Sequence, residues 1–141
     1  MRYLGVDYGE KRFGLSTSDP LLLTAQARGF IPAEISGLAE YILKFSAECG
    51  ELTVVVGLPK NLKGEIAKTA EKVLKFVEKL KTRLAQSGLP IKVETFDERF
   101  SSLASEKTLI AAGVSRQKRK LVVDGMAAAY MLQGYLDQIK K

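Results

Sequence analysis

Thr53-Val54-Val55-Val56 restricts the fold of this chain more than any other stretch: four β-branched residues in a row, bounded by Gly57 and Pro59. A run without polar alternation has no face to offer water, so it suits a central strand covered on both sides. The rest of the chain must then supply helices for both faces, and it does. A helix is expected at about 34–49, where Ile35, Leu38, Ala39, Ile42, Phe45 and Cys49 share one face and Gly50 ends it. A longer one follows the strand, with Ile66, Ala70, Val73, Leu74, Val77, Leu80 and Leu84 as its stripe and Gly88-Leu89-Pro90 as its stop. Residues 2–8 and 12–18 read as a hairpin about the turn Gly9-Glu10-Lys11, and Ala27–Ile31 as a short third strand ending at Pro32. Ile91–Phe96 reads as a strand parallel to the central one, and helices at about 102–112 and 121–139 complete the chain. These elements predict an α/β fold in one domain over residues 1–141: a mixed sheet of an antiparallel hairpin plus parallel strands, with helices on both faces.

Several function classes drop out on composition. The opening MRYLGVDYGEKRFG is broken by charges within a dozen residues, so it reads as neither a signal peptide nor a membrane span, and a cytoplasmic protein is expected. Cys49 has no cysteine partner in the chain and reads as a small buried side chain rather than a reactive thiol. With no histidine and one cysteine, the chain cannot build a His/Cys zinc site, whereas carboxylates suit Mg²⁺ or Mn²⁺.

The carboxylates that stand out are Asp7, the pair Asp97-Glu98, and Asp124. Asp7 lies near the end of the first predicted strand, where a charge is costly unless paired or coordinated; the alternative is a turn aspartate bonding backbone amides. Asp124 shares a helical face with Leu121, Ala127, Ala128 and Met131, the face that must pack on the sheet. The small residues Ala127, Ala128 and Ala129 would let that helix approach closely; the alternative for Asp124 is to complement the helix dipole. Asp97 and Glu98 follow the last predicted strand, and alternation allows only one of them to face the other acids without saying which. Two carboxylates about 4 Å apart repel by ~4 kcal/mol at an effective dielectric near 20, so three that converge must hold a cation or a proton.

Gly5-Val6-Asp7-Tyr8-Gly9-Glu10-Lys11-Arg12-Phe13-Gly14, Val56-Gly57-Leu58-Pro59 with Gly64, Asp97-Glu98-Arg99-Phe100-Ser101-Ser102, and Lys120 through Asp124 to Ala127-Ala128 together resemble the YqgF (RuvX) family. The four motifs run in order over the whole chain. The resemblance implies a five-stranded RNase H-like sheet and a metal-dependent phosphodiester hydrolase, a nuclease of pre-16S rRNA 5′ end processing in ribosome biogenesis. It assigns Asp7, Glu98 and Asp124 as catalytic residues and ligands of Mg²⁺ or Mn²⁺, and so selects Glu98 over Asp97. Two departures stand out: Ser101-Ser102 replaces the usual Ser-Thr, and the fourth strand ends in Val56-Gly57-Leu58-Pro59 where related resolvases carry an acid. The second departure bears on the second metal position rather than the first.

Charge fits a polyanionic partner, with 22 Lys+Arg against 16 Asp+Glu. Arg116, Lys118, Arg119 and Lys120, expected in a linker before Asp124, together with Lys11, Arg12 and Arg99, are the candidate nucleic-acid-binding residues. Lys60 and Lys63 read as exposed loop charges, and Lys44, Lys68, Lys72, Lys75, Lys79 and Lys81 as solvated helix faces. No aromatic ladder for stacking bases is evident, so structured RNA or branched DNA is expected to be recognised by shape, possible partners including ribosomal precursor particles. The alternatives are a Holliday-junction resolvase of DNA recombination and repair, a non-catalytic nucleic-acid-binding module, and a nucleotide-binding ATPase, which would require a second domain. A two-fold junction calls for a homodimer; a trimming nuclease works as a monomer.

Overall fold

The computed structural model describes residues 1–59, 65–98 and 116–139, and for 59, 65, 66, 98 and 116–125 the course of the backbone alone. The described elements are β1 (Arg2–Asp7), β2 (Arg12–Ser18), β3 (Ala25–Pro32), α1 (Ile35–Cys49), β4 (Leu52–Pro59), α2 (Glu65–Ala85), β5 (Ile91–Glu98) and α3 (Arg116–Ile139). The five strands form one sheet in the order β3-β2-β1-β4-β5. β2 is antiparallel to both β1 and β3, while β4 is parallel to β1 and β5. The mixed five-stranded sheet expected from the sequence is thus present.

Alternation divides the core in two. Leu4 and Val6 of β1, Val54 and Val56 of β4, and Phe13 and Leu15 of β2 pack with Leu38 and Ile42 of α1 and with Val73, Val77 and Leu80 of α2. The opposite parity, Tyr3 of β1 and Val55 of β4, packs with Met131, Leu132 and Leu136 of α3. β4 is buried along both faces, as its unbroken β-branched run requires.

Several boundaries differ from expectation, β4 among them, which runs on through Gly57 and Leu58 to Pro59. β5 extends two residues past Phe96, so that Asp97 and Glu98 pair with Leu58 and Pro59 rather than leaving the sheet. β3 is longer at both ends. The last helix begins at Arg116 instead of residue 121, so the basic cluster Arg116–Lys120 is helical and not a linker; Arg, Gln and Lys are strong helix formers. The helix expected at about 102–112, together with Arg99, Lys60 and Lys63, lies outside the described residues.

The β2–β3 connection is built on one side chain. Asp19 accepts hydrogen bonds from the amides of Leu21 (3.1 Å), Leu23 (2.7 Å) and Thr24 (2.7 Å), in a turn where Leu22 takes a positive φ of 60°. Gln133 of α3 ties this loop to the helix, donating to the Leu23 carbonyl and accepting from the Ala25 amide. The Thr24 amide bond, then those of Leu23 and Leu21, hold the Asp19 carboxyl below its ordinary pKa. A depressed folded pKa means stability that is present above the unfolded value and lost as pH falls through the folded one. Asp19→Asn is therefore expected to be less stable than wild type at pH 7, with the difference shrinking below about pH 4. Urea unfolding at the two pH values checks this, and a difference that stays constant with pH would assign the effect to the turn's shape alone.

Candidate active site

The parallel strands β1, β4 and β5 all end on the same side of the sheet, and Asp7, Asp97 and Glu98 of the acids singled out in the sequence belong to those strand ends. Asp7 is the last residue of β1 and Glu98 the last of β5, with β4 between them. Val6 pairs with Val56, and Val56 with Thr95, so position 98 lies two residues beyond the level of Asp7. Parity separates Asp97 from Glu98. Ile91 and Val93 pack in the core beneath α1 and α2, and Asp97 falls in their alternation. Glu94 and Phe96 meet α3: Glu94 accepts from Tyr135 Oη at 2.5 Å, and the Phe96 and Tyr135 rings pack edge to face. Glu98 is in the register of Glu94 and Phe96, as Asp7 is in that of Tyr3 and Gly5. Burial of the Tyr135 hydroxyl, then its bond to Glu94, raises its pKa well above the usual phenol range, so it remains a neutral donor.

Helix α3 crosses that same face. The Tyr3 and Tyr135 rings meet at 5.3 Å between centroids, tilted by 60°, and farther along β1 Gly5 lies beneath Ala128 and Leu132. The helix therefore runs antiparallel to β1. From Ala128 back to Asp124 is one turn, about 6 Å along the axis, and from Gly5 to Asp7 is roughly 7 Å along the strand. The backbone of Asp124 is thus carried toward the end of β1 that bears Asp7. Close approach depends on Gly5 and on a buried hydrogen bond from Ser16 Oγ to the Ala128 carbonyl, 2.8 Å. The side chains of Glu98 and Asp124 lie outside the described residues, as do those of Arg116, Lys118, Arg119 and Lys120.

Asp7 is half-buried and opens onto a cleft of about 360 Å³ lined also by Tyr8, Gly9, Glu10, Lys11, Arg12, Gly14 and Phe30. Gly14 pairs with Asp7 across the hairpin and with Phe30 on its other side, so the floor beside the carboxylate lacks a side chain. The Arg12 guanidinium lies over the Phe30 ring at 4.1 Å, which holds this cation at the cleft by a cation–π contact. Lys11 of the hairpin turn and Arg12, the first residue of β2, thus line the same opening as Asp7. Glu10 accepts from Lys72 Nζ at 2.6 Å, and this bond, reinforced by the lysine charge, lowers the Glu10 pKa.

Sequence reading missed Phe30 and Ser16. Phe30 lies in an edge strand with no periodic pattern of its own, and Ser16 looked like any strand serine. The signal that was present is the small residue at alternate positions, Gly14 and Ser16, opposite Asp7 and Gly5.

Among the described residues no group of three or more acidic, cysteine or histidine side chains converges; Asp7 is the described carboxylate at this strand end, and in a chain with no histidine a carboxylate beside an open cleft suits a hard cation rather than zinc.

A family model described as RuvX, Holliday junction resolvase, matches residues 1–138. A protein of Desulforamulus reducens is 48% identical over 142 residues, covering 97% of each chain, and one of Acetivibrio thermocellus is 41% identical over 139 residues, covering 97% of this chain and 96% of that one. Both carry the name pre-16S rRNA nuclease. Among solved structures, Thermus thermophilus RuvC in complex with a Holliday junction substrate superimposes with a TM-score of 0.53 at 14% identity, over 100% of this chain and 97% of that one. That likeness shows the RNase H-like fold.

Proposed function

Because this chain belongs to the RuvX family, we propose that it is a nuclease, a phosphodiester hydrolase that acts on structured nucleic acid, with precursor 16S rRNA as its substrate. The observation that carries the reading is the edge where β1 and β5 end: Asp7 and Glu98 terminate strands on either side of β4, in the parity that faces α3, and α3 brings Asp124 toward the same end. Near-complete relatives that carry the nuclease name support the substrate.

In this reading Asp7, Glu98 and Asp124 hold Mg²⁺ or Mn²⁺. When bound, such an ion lowers the pKa of water and stabilises the departing oxygen of a phosphodiester. The chain's own contribution is to position the linkage. Lys11 and Arg12 bind phosphate oxygens at the cleft, and the Phe30 ring restricts the Arg12 guanidinium to that task. Gly14 leaves room for the backbone to approach Asp7. Arg116, Lys118, Arg119 and Lys120, now on the first turns of α3, extend the phosphate contacts on the Asp124 side. Asp7 orients its ligand from a strand end rather than a loop, which fixes it more tightly than a flexible connection would.

The alternative substrate is a four-way DNA junction, favoured by the family description. Incubation with a 5′ precursor fragment of 16S rRNA and with a four-way junction, each with Mn²⁺ or with EDTA, decides between them. Metal-dependent cleavage of the RNA is expected. Junction cleavage alone would make the chain a resolvase, and binding of either without cleavage would make it a binding module.

A further inference from the structure

The lysines that read as solvated charge in the sequence separate into two groups in the structure. Lys44 is on α1, paired with Glu40, and Lys81 projects from another flank of α2. By contrast Lys68, Lys72, Lys75, Lys79 and Arg83 all fall within an arc of about 80° around α2, at 100° per residue, while Glu71 and Glu78 lie outside it. All five are exposed. The flank is connected to the Asp7 cleft by shared walls. Tyr8 and Glu10 line both that cleft and a neighbouring one of about 270 Å³ that Lys72, Lys75 and Lys79 also border. Lys79 borders a third opening together with Arg83.

We propose that this flank of α2 binds the phosphate backbone of an arm of the same nucleic acid whose scissile linkage lies at Asp7. The inference rests on the nuclease reading of that cleft and extends its substrate to one long enough to cross the hairpin turn. Lys72 to Arg83 spans about 16 Å of helix, the rise of roughly five phosphates along one strand at 3.4 Å each. The cations stand on a helix held to the core by Val73, Val77, Leu80 and Leu84, so the spacing of their backbone positions is fixed before binding. Lys72 is held at the junction by Glu10, at the point where the path turns from the cleft onto the helix.

The test compares Lys75→Gln/Lys79→Gln/Arg83→Gln with a control of equal charge loss, Lys44→Gln/Lys81→Gln/Lys92→Gln, both in the full chain and both checked for helix content by circular dichroism. Binding of a precursor 16S rRNA fragment containing a duplex arm is measured in EDTA over a salt series. Each phosphate contact contributes close to 0.9 to the slope of log affinity against log salt. The α2 variant is expected to lose about 2–3 of that slope and to bind roughly 10-fold or more weakly at low salt, with the control close to wild type. Equal behaviour of the two variants, with wild type still binding, would overturn the α2 track and leave the nuclease reading intact. Wild-type protein that binds no nucleic acid would overturn both.

Discussion

Asp7→Asn is expected to lower the rate of metal-dependent cleavage by at least about 100-fold while leaving the fold intact. The magnitude follows from comparison with weaker perturbations: removing an outer partner of a metal ligand already costs 10–100-fold, and removing one electrostatic stabiliser of a transition state costs about 10²–10³. Asparagine keeps the shape and one oxygen but not the charge, so packing at the end of β1 is preserved. The parity of β5 makes the comparison sharper. Glu98→Gln is expected to match the loss at Asp7, because position 98 alternates with Glu94 and Phe96, which meet α3. Asp97→Asn, in the alternation of Ile91 and Val93, is expected to change the rate by less than about threefold. Initial rates on one substrate at saturating Mn²⁺ check all three, and thermal melts with and without Mn²⁺ add a readout independent of turnover. Metal is expected to stabilise wild type and Asp97→Asn but not Asp7→Asn. A fully active Asp7→Asn protein would remove the carboxylate site altogether.

The choice between Asp97 and Glu98 shows what the sequence could and could not carry. Alternation alone limited the site to one of the two, but its phase depends on register with β4, a long-range property that no local pattern contains. The family resemblance named Glu98; the strand pairing puts position 98 in the register of Glu94 and Phe96. Element types were legible because their periods are strong: the unbroken Val54–Val56 run, the stripe of α2 and the Gly-containing hairpin turn. Element ends were less so. Residues 116–120 are basic and polar, and nothing in their spacing told a solvated helical turn from a linker. Phe30 escaped notice because its role is to hold Arg12 across the β2–β3 pair, a contact between residues 18 apart in sequence. The charge stripe on α2 was visible as composition but not as position, since its meaning lies in the clefts that join it to Asp7.

Gly5→Ala is expected to be strongly destabilising for the addition of a single methyl. Gly5 has no left-handed backbone to justify it; the reason is space. A Cβ there would fall inside contact distance of Ser16 Oγ and lie 3.1 Å from Leu132 Cβ and 3.3 Å from the Ala128 carbonyl oxygen. Two of those three neighbours are the partners of the buried hydrogen bond that anchors α3. Relief requires either rotating the serine away, which leaves the Ala128 carbonyl without that bond, or lifting the helix from the sheet. Overpacking costs about 1–3 kcal/mol and a buried group left unsatisfied about 1–3 more, so a loss near 3 kcal/mol is expected, a large share of a stability of 5–15 kcal/mol. Gly37→Ala is the contrasting case: an exposed helical glycine with nothing within 4 Å of an added Cβ, where alanine should stabilise by about 0.5–1 kcal/mol. Chemical denaturation of the two variants measures both signs. The functional consequence distinguishes the two ways of relieving the clash. If α3 lifts, Asp124 moves from the end of β1, and Gly5→Ala loses metal-dependent stabilisation even at temperatures where it remains folded. If only Ser16 rotates, metal stabilisation survives, and Ser16→Ala should then reproduce most of the loss in stability by itself.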